Sequence, residues 1–392
     1  MSWTIELIKK RVFNFAEFDV NAQEEIVEYL LENLPFDEYS NQLERKEKAV
    51  ANMKNAKNVL LGTRQKYPQH LDYSSVCADL KDLQSCAFLI MAGGEGERLR
   101  VSLKEKGYGD DDLRDFTKAT FPIPNTDYKF GALEVNLRLI SKINDKIPVI
   151  ITTGPLGSDT EKIIPKILKE NANFGVKNLE FIAQNKRLHL TNDGKIVFEN
   201  GSPVTNPDET GGPIAKLKEC GLLEKLEKSG VKKIIVLQGT AVYSKEILPI
   251  IASAGKNFDG LGIGILREKF PETDPYGTFV SAEEKLRIIE KEVRTPETYA
   301  IRNEKQKFLP YNTGFYVFDV ELLKNLEMPD YATPPKIILS GIEASPKIGF
   351  AATDIIAFAK NPAVLSICGD DFCVIKNADD IDVLGDFCRK KI

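Results

Sequence analysis

Between residues 92 and 98 the chain reads Ala92-Gly93-Gly94-Glu95-Gly96-Glu97-Arg98, directly after the apolar run Cys86-Ala87-Phe88-Leu89-Ile90-Met91. Glycines so spaced let a backbone approach a phosphate chain and turn amide N–H groups toward it, while the Arg98 guanidinium suits phosphate oxygens. The run is neither a dinucleotide fingerprint, which needs a third glycine where Leu99 stands, nor a P-loop, since no Gly-Lys-Ser/Thr follows. Taken alone it also fits a tight strand-to-helix turn that binds nothing. Beyond a polar stretch, Thr117-Lys118-Ala119-Thr120-Phe121-Pro122-Ile123 puts a lysine just ahead of an apolar run, where it would be held rather than free.

The elements that must position these groups are legible from periodicity. Short apolar runs at 86–91, 147–154, 179–184, 232–239 and 261–268 read as buried strands. Between several of them, FGALEVNLRLISKI, DTEKIIPKILKEN and IAKLKECGLLEKLEKSG carry helical spacing, so strands and helices alternate as in a doubly wound, mostly parallel sheet. Ligands in such sheets sit beyond the carboxyl ends of the strands, where the glycines after Met91 and Gln238 stand. A hairpin-like stretch, TFVSAEEKLRIIEKEV, and the run KFLPYNTGFYVFDVELL predict a mixed or antiparallel second part of the same sheet. Residues 1–82 read as a helical appendage, and 83–392 as one composite domain with a nucleotide-binding first half and a sugar-binding second half, the sugar assignment resting on the resemblance below.

Bulk composition bounds the classes. At 392 residues, 42% hydrophobic and 28% charged, the chain has the make-up of a globular protein. A net charge of -5, from 53 basic and 58 acidic residues, gives no basic footprint for nucleic acid. No apolar run is long enough to cross a membrane and the amino terminus lacks a signal-peptide core, so a cytoplasmic protein is expected. Six scattered cysteines and two histidines offer little for a soft-metal site, and the thiols are expected to be reduced and mostly buried.

A Gly-Gly-x-Gly-x-Arg-Leu loop followed by a lysine and an apolar-proline run resembles the signature of nucleotidyltransferases that activate sugar 1-phosphates. Three further segments extend the resemblance to the eukaryotic-type UDP-sugar pyrophosphorylases. Pro207-Asp208-Glu209-Thr210-Gly211-Gly212 is similar to the family's nucleotide-contacting Pro-x-Gly-Asn-Gly-Gly segment, although Thr210 could equally cap a helix beginning near Pro213. Pro275-Tyr276-Gly277-Thr278, then Glu290, then Tyr311-Asn312-Thr313-Gly314, is similar to the sugar-binding stretch. Asp371 to Asp380, FCVIKNADD within it, resembles the segment that carries a second phosphate lysine.

The resemblance implies an α/β, GT-A-like (Rossmann-like) doubly wound mixed sheet with the N-terminal helical appendage. It implies a UTP:sugar-1-phosphate uridylyltransferase with UTP and a glucose-type or N-acetylglucosamine-type 1-phosphate as substrates and Mg2+ as cofactor. Arg98, Lys118 and Lys376 would be its catalytic cations. Ala92, Gly93, Gly94, Gly96, Gly211 and Gly212 would bind the nucleotide, and Gly277, Glu290 and Asn312 the sugar. The alternative is a catalytically silent relative that binds nucleotide or sugar in a regulatory role. The family's strand-end aspartate, which helps hold magnesium, is replaced by Gln238-Gly239-Thr240, so no metal ligands are assigned; Glu97 and Arg100 also depart from the pattern. Little chain follows Lys376, so no long carboxyl-terminal β-helix and no oligomer built through one are expected, which leaves a monomer.

Overall fold

A computed structural model describes residues 2–94, 96–333 and 345–392. The chain forms two compact units, each interleaved in sequence with the other. They do not follow the division at residue 82. One unit comprises 1–59, 185–212 and 328–351, and the other 60–184, 213–327 and 352–392.

In the first unit the helices Ile5–Arg11 and Val20–Asn33 and most of Phe36–Gly62 pack with short strands from two later segments. The reason is burial. Ile8, Ile26, Leu30 and Tyr39 close one apolar cluster with Leu188, Leu190, Ile196 and Phe198, and the helices alone would leave that face in water. Phe13 and Ile196 share a backbone hydrogen bond, and the Trp3 indole N–H donates to the Leu34 carbonyl at 2.7 Å. The appendage expected to be helical therefore includes the antiparallel pairs Lys186–Leu188 with Thr205–Pro207 and Tyr331–Ala332 with Ile348–Gly349.

The second unit holds a ten-stranded sheet among the described residues. Its order across the sheet is His70–Asp72, Pro362–Ile367, Gly260–Ile265, Tyr311–Asp319, Lys233–Gln238, Cys86–Met91, Val149–Thr153 and Leu179–Ala183. Tyr311–Asp319 runs antiparallel to both neighbours; the other pairs along this path are parallel. The mixed α/β sheet is thus the one the strand-helix alternation predicts. The hairpin Thr278–Ala282 and Lys285–Ile289 joins through Thr278 and Tyr311. At its tip Glu283 and Glu284 take left-handed conformations with φ of 52° and 61°, the twist a two-residue hairpin turn requires.

Cys86–Met91 is buried along its whole length, which explains its unbroken apolar run. It pairs with Val149–Thr153 on one side and with the later strand Lys233–Gln238 on the other. Chain order reverses there, so the loop after Met91 opens at the switch point of the sheet, where doubly wound folds keep their ligand crevice. No helix among the described residues is long and apolar enough to cross a membrane. All six cysteines are free; Cys86, Cys373 and Cys388 are buried, whereas Cys77, Cys220 and Cys368 are exposed, so fewer are buried than expected.

Candidate active site

The glycine loop is shaped by close approaches that a side chain would block. A Cβ on Gly93 would stand 2.8 Å from the Thr153 carbonyl, and the Ala92 N–H donates to Thr152 at 2.9 Å, so the loop is stitched to the end of the neighbouring strand. Gly94 is exposed with open space about it, as a backbone offered to a ligand would be. Gly96 has φ 75° and caps the helix Glu97–Glu105; a Cβ there would lie 2.9 Å from the Cβ of Lys118. Glycine is thus required twice over, for the left-handed turn and for room beside the lysine. Glu95 lies outside the described residues.

Lys118 is held by the turn around it. The Thr117 N–H donates to Thr120 Oγ1 at 2.9 Å, and the Leu133 N–H donates to the Ala119 carbonyl at 3.0 Å, tying the segment to the helix Gly131–Asn144. Burial pushes the Lys118 ammonium below the ordinary lysine range; Arg98 and Lys376 push the same way, and Asp380 opposes them. Of the cations expected to meet phosphate, Arg98 and Lys376 are therefore each within electrostatic reach of Lys118. Lys376 is exposed, and its backbone N–H donates to Asp380 Oδ2 at 2.7 Å. Its ammonium lies 3.6 Å from the centre of the Tyr276 ring.

That ring leads to the expected sugar residues. Tyr276 stacks on Tyr311 with centroids 4.7 Å apart. The Asn312 N–H donates to the Gly277 carbonyl at 2.8 Å, and a Cβ on Gly277 would stand 2.9 Å from Glu290 Oε1. Asn312 Nδ2 donates to the Tyr316 hydroxyl at 2.8 Å, while its Oδ1 accepts the Gly314 N–H at 2.9 Å. The sheet register shifts between Ile263 and Gly264, which places Thr313 and Gly314 in a bulge and aims Asn312 out of the regular ladder. Glu290 is exposed; the protein around it raises its carboxyl above the usual range by desolvation, Glu292 adds to this and Arg294 opposes it.

A UDP-sugar pyrophosphorylase of Oryza sativa subsp. indica is 27% identical over 203 residues, 47% of this chain and 31% of that protein. The corresponding protein of subsp. japonica matches to the same extent. The chain is similar to the UDP-sugar pyrophosphorylases. It spans about a third of the length of these curated relatives, 31%. The uridine diphosphate N-acetylglucosamine pyrophosphorylase of Trypanosoma brucei superposes with a TM-score of 0.69 at 15% identity, over 99% of this chain and 84% of that one. A mutant UDP-glucose pyrophosphorylase of Leishmania major, crystallised with UDP-glucose, gives 0.61 at 16% identity, over 86% and 78%. At such identities the structural likeness is one of fold. No protein-family profile matches.

Against the pyrophosphorylase resemblance, the remaining sequence features divide. Gly211 and Gly212 belong to the first unit. There the Gly211 N–H donates to Phe350 at 2.7 Å, and a Cβ on Gly212 would stand 1.9 Å from Asp208 Oδ1, so both glycines answer to close packing within that unit. Glu209, where the family segment has glycine, keeps the left-handed conformation at φ 61°. The helix after Thr210 begins at Gly212. Arg100 turns inward: its guanidinium donates to the Leu113 carbonyl and lies 5.0 Å from the Phe116 ring, which accounts for an arginine where the family carries glycine.

Sequence reasoning missed Tyr276 as a partner of Lys376, and with it the device that fixes the Tyr276-Gly277 turn. Buried Arg267 pairs with Asp274 at 2.7 Å and donates to the Leu309 carbonyl at 2.9 Å; Asp274 Oδ1 in turn accepts the Tyr276 N–H at 2.8 Å. The signal was present in the ILRE end of a buried strand run, where an arginine must find a carboxylate. The magnesium expectation finds no protein cage. Among the described residues no group of three or more His, Cys, Asp or Glu side chains could share a cation, and the strand end offers the neutral Gln238. Magnesium at nucleotide sites keeps phosphate oxygens and waters beside only one or two carboxylates, so it would come with a triphosphate rather than in an all-protein cage.

Proposed function

We propose that the chain is a uridylyltransferase, making a UDP-sugar and pyrophosphate from UTP and a hexose 1-phosphate of the glucose or N-acetylglucosamine type. The observation that carries this is the gathering of Arg98 and Lys376 around Lys118, next to the glycine loop, with Lys376 resting on the tyrosine that precedes Gly277. A polyanion held by the cations would have its sugar end beside Gly277, Glu290 and Asn312.

In that arrangement a phosphate oxygen of the sugar 1-phosphate attacks the α-phosphorus of UTP in line. The new P–O bond forms as the bond from the α-phosphorus to the α–β bridging oxygen breaks, and pyrophosphate leaves with the electron pair. Such transfers ask a protein for positioning and for neutralisation of developing negative charge. Gly93, Gly94 and Gly96 present backbone N–H groups, Arg98 and Lys118 serve the departing pyrophosphate, and Lys376 spans the two reacting phosphates. Magnesium would arrive with the triphosphate as its counter-ion.

The neutral Gln238 favours a second reading, a catalytically silent relative that binds nucleotide or sugar. Incubation of the purified protein with UTP, magnesium and a panel of sugar 1-phosphates decides between them. Pyrophosphate release supports the transferase; silence with retained UTP binding in a thermal-shift assay supports the second reading.

A further inference from the structure

The turn that carries Lys376 is tied down more closely than an exposed loop requires. Each backbone N–H from Ile375 to Asp379 has an acceptor in the protein. The Ile375 N–H donates to the Thr240 carbonyl at 2.9 Å, just beyond the strand that ends at Gln238. The N–H groups of Lys376 and Asn377 both donate to Asp380 Oδ2, at 2.7 and 2.8 Å. That of Ala378 donates to Ser102 Oγ at 3.0 Å, and that of Asp379 to Asn377 Oδ1 at 2.9 Å. Lys376 and Asn377 are exposed, where water could have served their N–H groups instead.

Ser102 reaches this turn from the glycine loop. It lies on the helix Glu97–Glu105, which Gly96 caps and which Leu99 and Leu103 anchor in the core. Residues four apart share a face of a helix, so Arg98 and Ser102 lie on one side, and the capping residue Lys106 follows on that side. Lys106 pairs with Asp379 at 2.8 Å, so this side of the helix runs along the turn at Ala378 and Asp379. The Ser102 hydroxyl donates to the Leu99 carbonyl at 3.0 Å, which leaves its lone pairs for the Ala378 N–H. Lys118 meets the same helix at its start, where only a glycine at 96 leaves room for the lysine Cβ. One helix thus carries Arg98, borders Lys118 and holds the turn that presents Lys376.

We propose that Ser102 is a positioning residue: through Ala378 it fixes the backbone of Lys376 to the helix that carries Arg98, so that both cations meet one phosphate chain in register. This rests on the transferase reading above. Phosphoryl transfer takes its rate largely from placement, and a displacement of about 1 Å can cost about a hundredfold. A lysine reaches through a flexible stem, so the position of its Cα decides where its ammonium can settle. Asp380 holds two N–H groups of the same turn, but it also acts electrostatically on Lys118, so its removal would change charge as well as geometry. Ser102 is neutral, and its removal changes geometry alone.

The test is a double-mutant cycle of S102A and K376A, read by pyrophosphate release from UTP and glucose 1-phosphate with magnesium present. Alanine is the strongest helix former, so S102A keeps the helix. S102A should lower kcat about tenfold with the KM for glucose 1-phosphate unchanged, and S102T, which keeps the hydroxyl, should recover most of the loss. In the K376A background S102A should cost less than about twofold, because the group it positions is already gone. A wild-type kcat in S102A overturns the inference, as does a loss of about tenfold that persists in K376A, which would mark a general structural role. Calorimetry with UTP gives a readout independent of turnover: S102A should weaken UTP a few-fold in the wild-type background and leave K376A unaffected. Should the wild type bind UTP but release no pyrophosphate, the transferase reading fails while the calorimetric cycle still decides the role of Ser102. A wild type that does not bind UTP overturns both.

Discussion

Lys376 places its ammonium 3.6 Å from the centre of the Tyr276 ring. A lysine on a flexible stem is expensive to immobilise, and an aromatic face at this distance holds it without neutralising it, as a carboxylate would. The ring itself is fixed by stacking on Tyr311 and by the buried Arg267–Asp274 pair behind its backbone. The ammonium proposed to meet phosphate thereby rests on the residue that precedes Gly277.

This arrangement predicts a graded series at two positions. K376A should lower kcat by on the order of a hundredfold or more while leaving the sugar KM nearly unchanged, because the lost charge acts on the reacting phosphates. Y276F should keep nearly full activity, since the ring face remains, and Y276A should lose several-fold. Steady-state pyrophosphate release measures all three; wild-type turnover in K376A would remove Lys376 from the reaction.

Lys118 makes a prediction with two signs. Its folded pKa is depressed below the unfolded value, chiefly by burial, so the native state gives up this proton more readily than the unfolded chain does. The linkage term therefore penalises the fold at neutral pH and is relieved as pH rises through the depressed pKa toward about 10.4. K118M should melt at a higher temperature than wild type near neutrality and lose that advantage as pH rises. The same variant should lose on the order of a hundredfold in turnover. UTP affinity of the wild type should fall on an alkaline limb below the ordinary lysine range, and K118R should move that limb upward.

Asp354 carries the opposite linkage. Burial raises it from 3.8 to about 6, so its contribution is fully present below the lower value and lost as pH rises through the upper one. Ionised Asp354 thus destabilises the neutral-pH protein. The stability gain of D354N over wild type should grow from about pH 4 to about pH 6.5, reach on the order of 2 kcal/mol and then level off. Denaturant melts at a series of pH values test this; a gain independent of pH would contradict the burial of this carboxyl.

Gly96 offers a steric test. Its φ of 75° and the 2.9 Å approach to Lys118 mean that G96A combines left-handed strain of about 1–2 kcal/mol with displacement of the lysine. G94A meets nothing within 4 Å in the protein. It should fold as wild type and weaken UTP through the space a methyl takes from the ligand. Thermal melts and UTP titration separate the two; equal effects of both variants would mean that the loop does not face the nucleotide.

What the sequence determined by itself is local and periodic. The unbroken apolar run at Cys86–Met91, the glycines that follow it and the strand-helix alternation identified the sheet and the switch-point loop, because burial on two faces and left-handed turns each demand particular residue types at short range. Lys118, Lys376, Gly277, Glu290 and Asn312 were visible as spaced motifs. Their relations were not. That Lys376 rests on Tyr276, and that 185–212 and 328–351 join the unit of the N-terminal helices, depend on segments far apart in the chain. Pairings of that kind leave no periodic trace, since the apolar or charged partner that makes a residue's burial tolerable is chosen by the folded packing and not by its neighbours in sequence. The tertiary structure alone decided that Lys118 and Lys376 converge and that Lys376 meets Tyr276.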